Sequence, residues 1–80
     1  MDATQFVKDN IQDILAIDEG VVPTAKLADL GMDEMDIVDL VVAAEDELGI
    51  EVGAADEGRL LEGGTVQDAV DIFTKLLQQS

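Results

Sequence analysis

The chain has 80 residues, 19 acidic and 4 basic side chains, no histidine and no cysteine, and a formal net charge of −15. Yet 48% of its residues are hydrophobic, so it is too apolar for the disordered class that such charge usually marks. Eighty residues suit a single domain, 1–80, whose folding buries about 60–65% of the surface of the unfolded chain. Contact with nucleic-acid phosphates or an anionic membrane needs Lys and Arg clusters, which are missing. Without cysteine there is no disulfide, no zinc–thiolate site and no thiol nucleophile, and without histidine the commonest general base is gone. An enzyme is not expected, because no nucleophile–base pair can be assembled.

Met1-Asp2-Ala3-Thr4 is not a basic segment leading into an apolar run, and no stretch approaches the roughly 20 apolar residues of a membrane span. A cytoplasmic, monomeric protein is expected. Phe6, Val7, Ile11, Ile14 and Leu15 share one face of a first helix, with Asp2 as its expected cap and Gln5 as the capping-box partner. That helix fades near Asp18-Glu19-Gly20.

A long connection follows, since Pro23 lacks an amide donor and holds Val22 extended. Leu27, Leu30 and Met32 are expected to pin it to the core. Connections of this length are often functional, and a packed structural loop fits the same residues.

The second helix has Asp33 as N-cap, Asp36 in the reciprocal position and Gly49 as its left-handed terminator. Apolar residues cover most of its circumference. Its polar positions, Asp33, Glu34, Asp36, Asp39, Glu45, Asp46 and Glu47, are all acidic. Acids in the first turn complement the helix dipole, by roughly 0.3–1 kcal/mol each. Seven acids without opposite charges to pair with repel one another. That cost favours a docking face for basic partners over a merely solvated one. Met35, Val38 and Val42 lie on one line flanked by Asp39 and Asp46, an apolar ridge with an acidic rim; burial of all three in the core is the competing reading.

Ile50-Glu51-Val52 is expected to be an extended loop with Ile50 and Val52 turned inward. Ala54 to Leu61 reads as a short third helix, ended by Gly63-Gly64. Thr65 and Asp68 cap a last helix whose buried stripe is Val66, Ala69, Val70, Ile72, Phe73, Leu76 and Leu77. The expected class is all-α: three main helices plus one short helix, with a long loop between the first and second.

The run Leu27-Ala28-Asp29-Leu30-Gly31-Met32-Asp33-Glu34-Met35-Asp36-Ile37-Val38-Asp39-Leu40 resembles the signature of acyl carrier proteins. The likeness continues through Ala44 to Val52, resumes at Thr65 to Val70, and extends over nearly the whole chain. It implies a small helical bundle and a carrier of acyl thioesters in fatty-acid, polyketide or related biosynthesis. In that family the thioester forms on a 4′-phosphopantetheine arm, esterified to a serine in an Asp-Ser-Leu motif. Partner enzymes, including the phosphopantetheinyl transferase, dock on the acidic second helix. By position, the resemblance assigns docking to Asp33, Val38, Asp39, Val42, Glu45 and Asp46; the ridge adds Met35, and the acidic docking face adds Asp36.

The decisive position departs from the pattern. The motif reads Asp33-Glu34-Met35, so Glu34 stands where the arm-bearing serine would be. A carboxylate cannot form the phosphodiester. The single serine is Ser80, and no hydroxyl residue occurs between Thr24 and Thr65, so no shift of register supplies one. No cofactor is expected on this chain unless serine is restored at 34. Lys26 replaces a common aromatic residue, Gly53 replaces a common proline, and the stretch from Gly53 to Gly64 is slightly long for the family.

Three readings therefore stand. In the first, a divergent carrier-fold protein docks partner enzymes without an arm. The second is an ordinary carrier with an engineered or isolated serine-to-glutamate change at 34. The third is an acidic cation-binding or nucleic-acid-mimicking protein. For that third reading, Asp33, Asp36 and Asp39 recur every three residues but form no calcium loop, so only weak divalent-cation binding is expected.

Overall fold

The computed structural model describes residues 2–79. Four α-helices and one turn of 3-10 helix follow in order: α1 (Thr4–Leu15), the 3-10 turn (Ala28–Leu30), α2 (Glu34–Leu48), α3 (Ala54–Leu61) and α4 (Val66–Gln79). The all-α class, the three longer helices and the short one are as the periodicity predicts. Helix α1 packs on α2 and α4, and α3 bridges α2 and α4.

Local chemistry sets the helix ends. Asp2 accepts from the Thr4 amide at 2.6 Å and from the Thr4 hydroxyl, one residue outside the expected capping register. Ala3 therefore occupies the N-cap. Its own amide donates to Thr74 Oγ1 of α4 at 3.0 Å, and its methyl group is buried. Gln5 does not complete a capping box; its amide donates to Asp9 one turn on, at 2.8 Å. Thr65 and Asp68 cap α4 reciprocally, with the Asp68 amide donating to Thr65 Oγ1 at 3.1 Å and the Thr65 amide to Asp68 at 3.0 Å.

The core is aliphatic around one aromatic ring. Phe73, Ile11, Leu27, Leu40, Leu60, Val7 and Val66 are the largest fully buried side chains. Phe6 meets Phe73 edge-on, with centroids 6.3 Å apart. Burial of each such side chain contributes about 1.5–3 kcal/mol. Ile50 is buried and Val52 half-buried, as expected for the loop after α2. In α4, Val66 to Phe73 supply the buried stripe, while Leu76 and Leu77 are half-buried.

The long connection is held by backbone as well as by side chains. Leu27 and Met32 are buried and Leu30 is half-buried, which pins the loop as predicted. The loop also lies against the start of α4. The Leu27 amide donates to Gly64 O at 3.0 Å, the Val66 amide to Ala25 O at 2.9 Å, and the Gln67 amide to Pro23 O at 3.0 Å. Lys26 and Thr65 thereby form an isolated antiparallel bridge. Helix α4 gains partners for amides that its first turn leaves without intrahelical acceptors. The tight turn from the end of α3 requires a glycine at 64, since a Cβ there would lie 2.7 Å from Leu60 Cα and 2.9 Å from Arg59 O. Among the described residues, no helix is long and apolar enough to cross a membrane.

Candidate functional site

The start of α2 is built by three neighbouring devices. Gly31, with φ of 99°, turns the chain after the 3-10 helix. Met32 then plugs into the core, 4% exposed, and its amide donates to Leu27 O at 3.1 Å. Asp33 follows in extended conformation and caps the helix. Its carboxylate accepts from the Asp36 amide at 2.9 Å, and the Asp33 amide donates to the Asp36 carboxylate at 3.2 Å. The predicted capping box is complete.

Glu34 is therefore the first helical residue, and it is exposed. A carboxylate at this end is favoured by the helix dipole. It can accept hydrogen bonds or attract a cation, but it offers no hydroxyl for a phosphodiester. Thr24 and Thr65 lie outside α2, and Ser80 lies outside the described residues.

Helical geometry sorts the remaining residues. Ile37, Leu40, Val41 and Ala44 form the buried face. At 3.6 residues per turn, Met35, Asp39, Val42 and Asp46 fall directly opposite. Met35 is 70% exposed and Val42 47%, and Asp39 and Asp46 are exposed beside them. Burial in the core is thus ruled out for both apolar residues. Val38 lies at one edge of the face, half-buried, on the same side as Glu34 and Glu45. Asp36 lies at the other edge, half-buried and engaged in the cap.

Glu45 has a structural task that the sequence did not signal. Its carboxylate accepts from the Val52 amide at 3.1 Å and ties the loop after α2 back to the helix. Asp33, Asp36 and Asp39 do not converge on a cation position; among the described residues no group of three acids is placed to hold a metal ion. An open depression of about 390 Å³, lined by Gly49, Ile50, Glu51, Leu76 and Gln79, lies at the opposite end of α2. That end is roughly 22 Å along the helix from Glu34.

Residues 5–73 match the family described as "Phosphopantetheine attachment site". Over 77 residues the chain is 36% identical to an acyl carrier protein of Solidesulfovibrio magneticus, an alignment covering 94% of this chain and 95% of that protein. This chain belongs to the acyl carrier protein family. Acyl carrier proteins are carriers rather than enzymes, and they work with acyl-processing enzymes and a phosphopantetheinyl transferase. The family match includes the start of α2, where Glu34 is the first helical residue.

Proposed function

We propose that this acyl carrier protein homologue docks partner enzymes through α2 without bearing a phosphopantetheine arm. One observation carries the reading: Glu34, exposed at the first position of a fully capped helix, has no hydroxyl to esterify, and no residue between Thr24 and Thr65 supplies one. The face around it keeps the features a partner would read. Met35 and Val42 stand out from the helix, Asp39 and Asp46 line the same surface with negative charge, and Asp33 adds an exposed carboxylate at the helix's N-terminal end. An exposed apolar ridge with an acidic rim suits a basic-rimmed groove on an acyl-processing enzyme or a transferase. Val38 contributes the edge of the ridge; Asp36 and Glu45 add charge while serving the cap and the following loop. The negative carboxylate at 34 stands, crudely, for the negative phosphate that an arm would bring. The protein works as a monomeric cytoplasmic scaffold or regulator in fatty-acid, polyketide or related biosynthesis, and divalent cations bind its surface only weakly.

The test is incubation with a promiscuous phosphopantetheinyl transferase and coenzyme A, followed by intact-mass measurement. No mass change is expected, and a gain of one phosphopantetheine overturns the reading. The intact motif around Glu34 favours a second reading, an ordinary carrier with a serine-to-glutamate change at 34. Under that reading Glu34→Ser is modified and then loaded with an acyl group by the pathway enzymes. A Glu34→Ser chain that the transferase leaves unmodified counts against it.

A further inference from the structure

Two methionines three residues apart, Met32 just before the capping box of α2 and Met35 within it, lie in opposite environments. Met32 is 4% exposed and belongs to the core, whereas Met35 is 70% exposed and faces away from it. A thioether oxidises at a rate set largely by the oxidant's access to sulfur. A neutral oxidant such as hydrogen peroxide reaches Met35 without opposition from the −15 charge, while an anionic oxidant is repelled. We infer that Met35 is a selective site of peroxide oxidation, and that its sulfoxide switches off the docking face of α2. The inference rests on the docking reading above.

The reaction is a two-electron oxygen transfer. The sulfur lone pair attacks one oxygen of hydrogen peroxide, an S–O bond forms, and the O–O bond breaks. The departing hydroxide takes the proton from the transferred oxygen and leaves as water. Sulfur is oxidised and peroxide is reduced. The product replaces an apolar side chain with a polar one. Because Met35 contributes nothing to the core, this change leaves the helix bundle standing. It removes one of the two strongly exposed apolar side chains of the ridge and puts a polar S=O group where a partner's groove must be dry. Methionine sulfoxide reductases reverse it, one enzyme for each epimer, so the modification can act as a switch.

The test treats the whole chain with dilute hydrogen peroxide and follows oxidation over time. Cleavage after Lys26 and after Glu34 places Met32 and Met35 in different peptides. Met35 is expected to oxidise about tenfold faster than Met32, with the circular dichroism spectrum unchanged. Docking is then read by competition, with the reduced chain inhibiting phosphopantetheinylation of an ordinary acyl carrier protein. The oxidised chain is expected to need about tenfold higher concentration for the same inhibition, and the reductases should restore it. Inhibition by Met35→Leu, whatever its own strength, should be unchanged by peroxide. Equal oxidation of Met32 and Met35 overturns the inference. So does selective oxidation that leaves inhibition unchanged, a result that spares the docking reading. A reduced chain that does not inhibit at all overturns both.

Discussion

Glu34 opens α2 with its position fixed by neighbours rather than by contacts of its own. The Asp33–Asp36 box holds the turn, so changing residue 34 alters chemistry with little effect on geometry. Glu34→Ser should accept one phosphopantetheine from a promiscuous transferase, and Glu34→Ala should accept none; intact mass reads both. The cap itself is testable. Asp33→Ala leaves the Asp36 amide without its acceptor and should cost about 1 kcal/mol, seen as a melting temperature lower by roughly 4–8 °C. At the other end of the sequence, Thr4 donates side-chain and backbone hydrogen bonds to the Asp2 carboxylate and holds its pKa below the ordinary aspartate range. A depressed pKa contributes stability above the unfolded-state value, lost as pH falls through the folded-state value. For the fully exposed Asp2 the clean measurement is a site-resolved NMR titration. Its midpoint should rise when Thr4→Val removes the largest cause of the shift.

Among the elements, the helices were legible and the strap between them was not. Apolar spacing, the Thr65–Asp68 pair and the terminator Gly49 marked α2 and α4 closely, and Ala54 to Leu61 matches α3 end for end. The Gln5 cap failed because the first turn of α1 is organised from Asp2 and from Thr74 on α4. The backbone bonds from Pro23, Ala25 and Leu27 to the start of α4 carry no residue signature, since every non-proline residue has the same amide and carbonyl. Side chains around the strap give the predictions. Leu27→Ala removes a fully buried anchor and should cost about 2–5 kcal/mol in chemical denaturation. Gly64→Ala drives a methyl group into the Leu60 backbone and should cost about 2–3 kcal/mol, with loss of protection at the Leu27 and Val66 amides in hydrogen exchange.

For the molecule as a whole, charge and compactness oppose each other. The radius of gyration is 11.2 Å, close to the about 11.6 Å that chain length alone suggests. Fifteen uncompensated negative charges are held within that volume. Arg59 lies 3.7 Å from Asp68, but both side chains are substantially exposed, so the pair offsets little of the repulsion. The Debye length shrinks from about 30 Å at 0.01 M salt to about 8 Å at 0.15 M, so sodium chloride should raise the melting temperature over that range. Millimolar magnesium should raise it further in a graded way. A stoichiometric step in calorimetry would instead indicate a built cation site.

The sequence by itself determined the helix content, the caps of α2 and α4, the acidity of the second helix and the missing hydroxyl at position 34. All of these depend on residue identity and on neighbours within a few positions. Tertiary structure decided which side of α2 faces out. Its apolar residues cover most of the circumference, so periodicity alone cannot choose the buried stripe. Packing against α1 and α3 buries Ile37, Leu40, Val41 and Ala44 and leaves Met35 and Val42 in solvent. It also assigned Glu45 to the loop after α2 and the long connection to the start of α4, through bonds between residues that local spacing never brings together.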